Sequence, residues 1–335
     1  MWRSFGNPDC ALKIGVQGAA WVDAHRGITG RVNPRYHMVD LPAGAIRPSP
    51  MEPNIVDMAV VESRLRELIL PEPGGRWLQR LGLPALLRPI CLVLPDLAVR
   101  VGLLTVDAFP DRFAEQEALV RWRLEQDRLF PMAGTRVAFQ TFGRHSKKPN
   151  APQTVLAVVI RDPILSQYDQ LCERLGLSVV DLDISTFRLW NLWIRGAGDA
   201  ESQQPDSGIV WLNLLDGGFT IAVFQSGAPV FFRNKPLPSG KATEPRPRIP
   251  AEYVVNELTS SLLYCQEQQP KLVPNRLVLV GEDLPPGLSK DILQACRLEV
   301  FELGWDRAES LGWSQASDHS PPAVLEAVAG LAGAA

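Results

Sequence analysis

The sequence predicts a two-domain α/β protein. Two strand–glycine turn–strand units, Ala11–Val22 (ALKIGVQGAAWV) and Ile209–Val230 (IVWLNLLDGGFTIAVFQSGAPV), open the two halves of the chain. Each is followed by alternating strand and helix patterns. Continuous apolar runs such as Ile90–Leu94 (ICLVL), Thr154–Ile160 (TVLAVVI) and Arg276–Val280 (RLVLV) have the composition of strands buried on both faces. A length of 335 residues is enough for two hydrophobic cores.

Taken in order, Pro34–Pro53 is rich in Pro and Gly and is expected to run extended over the surface. Asn54 or Asp57 can cap a helix to about Leu70, with Val61, Leu65 and Leu68 on one face, and Pro71–Gly75 ends it. Arg76–Leu87 reads as a short helix or a loop. Ile90–Leu94 and Leu97–Val106 are strands, and Phe113–Leu129 is a helix stopped by Pro131. Thr135–Phe142 alternates as a strand does, Gly143–Pro152 is a polar loop, and Thr154–Ile160 is a strand. Pro163–Leu175 is a helix with Gly176 as its C-terminal cap. Ser178–Asp183 is a strand and Ser185–Ile194 an aromatic-rich helix. Gly196–Gly208 is small, polar and aperiodic, hence the linker. After the second hairpin come a Pro-rich loop (Lys235–Pro250), a helix (Ala251–Glu267), the strand Arg276–Val280, a helix (Gly287–Cys296), a short strand (Glu299–Leu303) and a closing helix (Pro322–Leu331).

Composition excludes several function classes. Hydrophobic residues make up 46% and the net charge is −3, so neither a disordered chain nor bulk attraction to nucleic acid or anionic lipid is expected. Met1–Leu12 lacks a signal-peptide core, and no run reaches the length of a membrane span. Cys10, Cys91, Cys172, Cys265 and Cys296 are scattered, without a CxxC, and read as reduced, mostly buried thiols. His25, His37, His145 and His319 have no partner at metal-ligand spacing. GxSxG, HExxH and Walker A patterns are absent. Arg233, Lys235, Lys241, Arg246 and Arg248 form a basic cluster, either solvated or facing an acidic partner or membrane surface. Phe187, Trp190 and Trp193 on one helix read as core; Phe113 and Trp122 are either core or interface.

Four stretches carry a family resemblance. Leu92–Arg100 (LVLPDLAVR) is similar to a strand of the PilM family, the actin-like proteins of type IV pilus machines, and of its relative, the cytoplasmic part of GspL from type II secretion. Glu117–Pro131, Val155–Leu192 and Ile209–Phe232 resemble further family segments in the same order, and the likeness runs from about Ala11 to Leu331. It implies a two-lobed actin-like ATPase fold with a small subdomain inserted in the first lobe. The expected divisions are 1–195 for the first lobe, with the insertion at about 96–181, then a linker at 196–208 and the second lobe at 209–335.

The resemblance also implies three nucleotide motifs, and each is degenerate here. The first is D-x-G-x-x-x-[ST], whose Asp holds magnesium through water. Gln17 is expected in the Asp place, with Gly18 as one glycine and Ala19, Ala20 and Trp21 after it. In the second copy either Asn213, aligned through Thr220, or Asp216, with Gly217 and Gly218, takes the Asp place, and neither register satisfies the motif. The Asp216-Gly217-Gly218 segment is a phosphate cradle or a plain hairpin turn. The adenosine motif keeps only Gly281, followed by Glu282 and Asp283, which would repel phosphate.

The expectation is therefore a pseudo-ATPase without cofactor, ATP and magnesium being required only if the degenerate cleft still binds. As the resemblance has it, the protein is a cytoplasmic scaffold peripheral to the inner membrane, in a pilus or secretion platform. Its implied partner is a PilN-like bitopic membrane protein whose cytoplasmic N-terminus docks as an extended peptide, alongside other platform components. The expected docking strands are Leu97–Val106, with Arg100 and Val101, and its expected neighbour Val137–Phe142, with Val137 and Phe139. A GspL-type chain is expected to continue into a membrane helix, so PilM is the nearer likeness. The alternative is a working ATP-binding switch in which nucleotide controls lobe closure. A sugar- or acetate-kinase relative would need a catalytic carboxylate that neither hairpin supplies.

Overall fold

A computed structural model describes residues 8–26, 32–69, 87–107, 109–126, 131–142, 153–196, 208–238, 249–270, 272–314 and 321–332. Residues 197–207 of the expected linker (196–208), the loop at 143–152, most of 76–87, and Lys241, Arg246 and Arg248 lie outside the described residues. The chain forms two compact units, Met1–Ala98 with Pro163–Ala197 and Gly304–Ala335, and Val99–Asp162 with Gly198–Leu303.

The first unit is built on β1 (Cys10–Ile14), β2 (Gly18–Arg26), β3 (Val32–Asp40), β4 (Arg88–Leu94) and β8 (Leu177–Ile184), in the order β3-β2-β1-β4-β8. β1 runs antiparallel to β2 and parallel to β4, and β4 runs parallel to β8. All of β1 and the last five residues of β4 are buried, as the apolar run Ile90–Leu94 of β4 requires, while β1 also buries Lys13. The extended surface segment expected at Pro34–Pro53 is in part the edge strand β3, paired with β2 along its length. An edge strand tolerates Pro34, because only one side of it must supply ladder N–H groups.

Helix α1 (Met58–Leu68) is capped by Asp57, whose side chain accepts from the Val60 N–H. Of the two cap candidates, Asn54 is instead buried and accepts from the Ser49 N–H. Phe187, Trp190 and Trp193 of α4 (Ser185–Gly196) are buried, and Trp190 stacks on Trp193. Helix α8 (Pro322–Ala332), the last helix among the described residues, packs on β1, β2, β4 and α4. It was expected in the second lobe and belongs to the first unit, as does the short helix α7 (Asp306–Glu309) before it.

The second unit contains β9 (Ile209–Asn213), β10 (Gly218–Gln225), β11 (Ala228–Pro236), β12 (Arg276–Val280) and β13 (Glu299–Glu302), in the order β11-β10-β9-β12-β13. Leu212, Phe219, Leu277 and Leu279 of this sheet pack with Val254 and Leu258 of α5 (Ala251–Gln268) and Ile292 of α6 (Leu288–Cys296). The unit also holds a three-stranded antiparallel sheet, β5 (Arg100–Val106), β7 (Gln153–Arg161) and β6 (Thr135–Phe142), in the order β5-β7-β6. Helix α2 (Phe113–Gln126) covers one face of it through Val120 and Leu124. The expected insertion at 96–181 is thus narrower. Helix α3 (Asp162–Arg174) leads out of it, and β8 joins the first unit's sheet.

Candidate functional site

The two five-stranded sheets share one strand order, and their leading hairpins correspond residue for residue. In β1–β2, Lys13 pairs with Ala20 and Ile14 with Ala19; in β9–β10, Asn213 pairs with Thr220. At the turns, Leu41 N–H donates to the Gln17 carbonyl (2.9 Å), and Leu237 N–H donates to the Gly217 carbonyl (2.8 Å). Lys13 therefore matches Asn213, Gln17 matches Gly217, Gly18 matches Gly218, and Ala20 matches Thr220, with no insertion between them.

This correspondence corrects the first motif. Gln17 does not stand in the Asp place; it is an exposed turn residue. The first place belongs to Lys13, with Gly15 two residues on, as D-x-G requires, and Ala19 in the hydroxyl place. Gly18 is a packing glycine, because a Cβ there would lie 2.9 Å from the Val39 carbonyl oxygen of β3.

The substitution at the first place reverses the charge. Lys13 is wholly buried. Its Nζ lies 2.6 Å from Oε1 of Glu326 on α8 and donates to Ser185 Oγ, also at 2.6 Å. Ser185 Oγ in turn donates to the Leu94 carbonyl (3.1 Å). An ammonium closed off by a carboxylate and a hydroxyl is an internal structural ion pair. Sequence reading missed Lys13, Ser185 and Glu326. The available signals were Gly15 at the right spacing and a single acid in an otherwise apolar closing helix.

The second hairpin is equally specific. Asp216 and Gly217 both have positive φ (54° and 69°), and Gly218 N–H donates to the Leu215 carbonyl (2.9 Å). This is the geometry of a type I′ hairpin turn. Asn213 is buried, and its Oδ1 accepts from Leu215 N–H (3.0 Å), stabilising the turn. Thr220 is buried beside it. At Gly281, after β12, an added Cβ would lie 2.3 Å from Leu284 Cδ2 and 3.4 Å from Leu214 Cβ, so an apolar side chain crowds the one glycine that remains of the third motif.

Two further cations fix α8. Arg188, on α4, donates from Nη2 to Asp181 (2.6 Å) and from Nη1 to the Gly330 carbonyl (3.3 Å), and its Nε lies 3.1 Å from Asp183. Arg195 donates to the Ala332 carbonyl. Both meet the carbonyl end of the helix, where positive charge is favoured. Burial pushes the Asp183 carboxyl above its ordinary range against the pull of Arg188, and burial pushes the Cys91 thiol beside them up to about 12.

The expected docking residues divide. β5 and β6 are not neighbours, because β7 lies between them and both are outer strands. Arg100, Val159 and Val137 form one cross-strand row, and Gly102, Ala157 and Phe139 the next, so Arg100, Val137 and Phe139 share the α2 face while Val101 points to the other. Val137 and Phe139 pack against the core beneath α2, with Phe139 stacked on the exposed ring of Phe113. Arg100 and Val101 line a groove of about 210 Å³ with Gly102, Leu124, Val159 and, from β11, Phe232, Arg233 and Asn234. Arg233 had been grouped with the basic cluster and not with Arg100.

No family model and no curated protein sequence matches the chain. Among solved structures it is similar to a chain of the PilM–PilN type IV pilus biogenesis complex, with 18% identity, a TM-score of 0.63 and 90% of each chain covered. It is also similar, more distantly, to a Bacteroides thetaiotaomicron protein with an actin-like ATPase fold (12% identity, TM-score 0.47, 90% of this chain and 94% of that one). A third similar structure is the cytoplasmic domain of EpsL, an inner-membrane component of the Vibrio cholerae type II secretion system (10% identity, TM-score 0.45, 91% and 95%). The chain is thus an α/β protein of the actin-like fold, the fold it shares with the PilM–PilN structure.

Proposed function

We propose that this chain is a non-catalytic scaffold of a type IV pilus or related secretion platform, an actin-like fold from which nucleotide chemistry has been lost. The observation that carries the proposal is Lys13. The fold family implies ATP with magnesium, and the residues present do not fit that group. The place of the magnesium carboxylate holds an ammonium neutralised by Glu326. Ala19 and Ala20 bring no hydroxyl, and Leu284 crowds Gly281. Without an anionic ligand a magnesium ion has nothing to organise it against a triphosphate.

The fold shared with the PilM–PilN complex supports a PilN-like membrane protein as partner, with the scaffold at the cytoplasmic face of the inner membrane. Among the described residues no helix is long and apolar enough to cross a membrane, so in this reading membrane attachment comes through the partner. The outer strands β5 and β6 offer backbone groups to an extended segment of such a partner. Isothermal titration with ATP and magnesium is the test. The scaffold reading expects no binding up to about 1 mM, where the binding free energy is only about −4 kcal/mol. Tight magnesium-dependent binding would replace it with the nucleotide-switch reading.

A further inference from the structure

We infer that the groove between β5 and β11 binds an acidic, extended segment of a partner protein. The inference rests on the scaffold reading and names the chemistry of its docking site. All the groove's residues belong to the second unit. Its base is apolar, formed by the buried Leu124 and Val159 on the α2 face, with Gly102 beside them on β5. Its rim carries two guanidinium groups from different elements and no carboxylate.

Arg100 is exposed and has no hydrogen-bond or ion-pair partner among the described residues. Arg233 donates to Ser261 Oγ (3.0 Å), which aims it, and lies 3.7 Å from Glu257. Glu257 also pairs with Lys235, which is held by Tyr253 Oη as well (2.9 Å). One carboxylate thus pairs with two cations, and with Arg100 on the other wall the local charge stays positive. A positive rim over an apolar base favours a ligand that alternates acidic and apolar groups.

Size and shape narrow the class. Roughly 300–1,000 Å³ is typical of small-molecule and cofactor pockets, and about 210 Å³ is too little for a nucleotide but enough for one or two side chains. Both walls are outer strands of their sheets, which suits a ligand with an extended backbone. A strand-like segment would place its apolar side chain against Leu124 and Val159 and its carboxylates against Arg100 and Arg233.

The test uses the full chain and fluorescence polarisation with a labelled pentapeptide alternating leucine and glutamate. Its leucine–glutamine counterpart and inorganic phosphate serve as the other arms. The acidic peptide is expected to bind saturably, and the glutamine peptide at least about tenfold more weakly. Arg100→Ala and Arg233→Ala should each weaken the acidic peptide by about tenfold while leaving circular dichroism unchanged, and added salt should weaken it further. Three results would overturn the inference: equal affinity for the glutamine peptide, full displacement by phosphate, or no saturable binding below about 1 mM. A separate ATP titration on the same sample tells the two failures apart. Nucleotide binding would remove the scaffold reading and leave the groove's peptide affinity standing, whereas loss of peptide binding without nucleotide binding would remove only the groove.

Discussion

Replacing Glu326 by Gln should strongly destabilise the first unit. The Lys13 and Glu326 side chains are 1% and 3% exposed, and their charged ends stand 2.6 Å apart. Glu326→Gln leaves an ammonium in the core without its neutralising carboxylate, and breaking a buried pair in this way costs about 3–5 kcal/mol. Against a typical domain stability of about 5–15 kcal/mol that is a large fraction. At roughly 2–4 °C per kcal/mol for a domain of this size, the unit should melt about 10 °C lower. Lys13→Met, which strands the carboxylate instead, should cost a similar amount. The double variant Lys13→Met/Glu326→Leu removes both charges and should return to within about 1 kcal/mol of the parent. Guanidinium denaturation followed by circular dichroism, with limited proteolysis to locate the unfolded part, measures all three. A single-variant cost below about 1 kcal/mol, or a double variant as unstable as the sum of the singles, would refute a buried, mutually dependent pair.

Other expectations follow from burial and close packing. A native-state thiol titration should find Cys296, the one cysteine that is not fully buried, reacting first, while Cys91 and Cys172, pushed up to about 12, and Cys265, pushed up to about 11, react only on unfolding. An early-reacting Cys91 would show that α8 does not seal β4. Gly330→Ala should cost about 1–3 kcal/mol in denaturant melts, because its Cβ would lie 3.1 Å from both Cys91 Sγ and Val93 Cγ2; no loss would mean a looser fit of α8. Tyr36, half-buried and donating to the Ser314 carbonyl (2.7 Å), has its phenol pushed up to about 12 by burial. Its contribution to stability should be complete below pH 10 and lost as the pH rises towards 12. Spectrophotometric titration of the wild type against Tyr36→Phe isolates it, and a tyrosine ionising near 10 would contradict the burial.

The elements were legible where one physical signal dominates. β1, β4, β9 and β12 are predominantly apolar, and Asp216-Gly217 is a pair that accepts positive φ, so these strands and the second hairpin's turn could be read directly. β3 was missed because a polar, Pro-containing edge strand carries no alternation that separates it from a loop. The register of the first motif was counted from Gly18, although the pairing of Lys13 with Ala20 sets it. Strand pairing is non-local, and a buried lysine in an apolar strand has no local marker of its role. For the same reason Glu326 gave no hint that its partner lies near the other end of the sequence. The groove was half legible: Arg100 and Val101 came from one segment and Arg233 from another, and only the approach of β11 to β5 brings them together.

The position of α8 bears on how the chain is made. A ribosome delivers β1, β2 and β4 long before it delivers residues 322–332, yet those strands need α8 to cover their apolar face and Glu326 to neutralise Lys13. Every segment of the second unit lies upstream of residue 304, so that unit can finish folding while the first still waits with an open flank. Nascent chains stalled between residues 304 and 322 should therefore hold one mature half and one that remains a chaperone client, and premature termination in that window should yield aggregation in place of a shortened working protein.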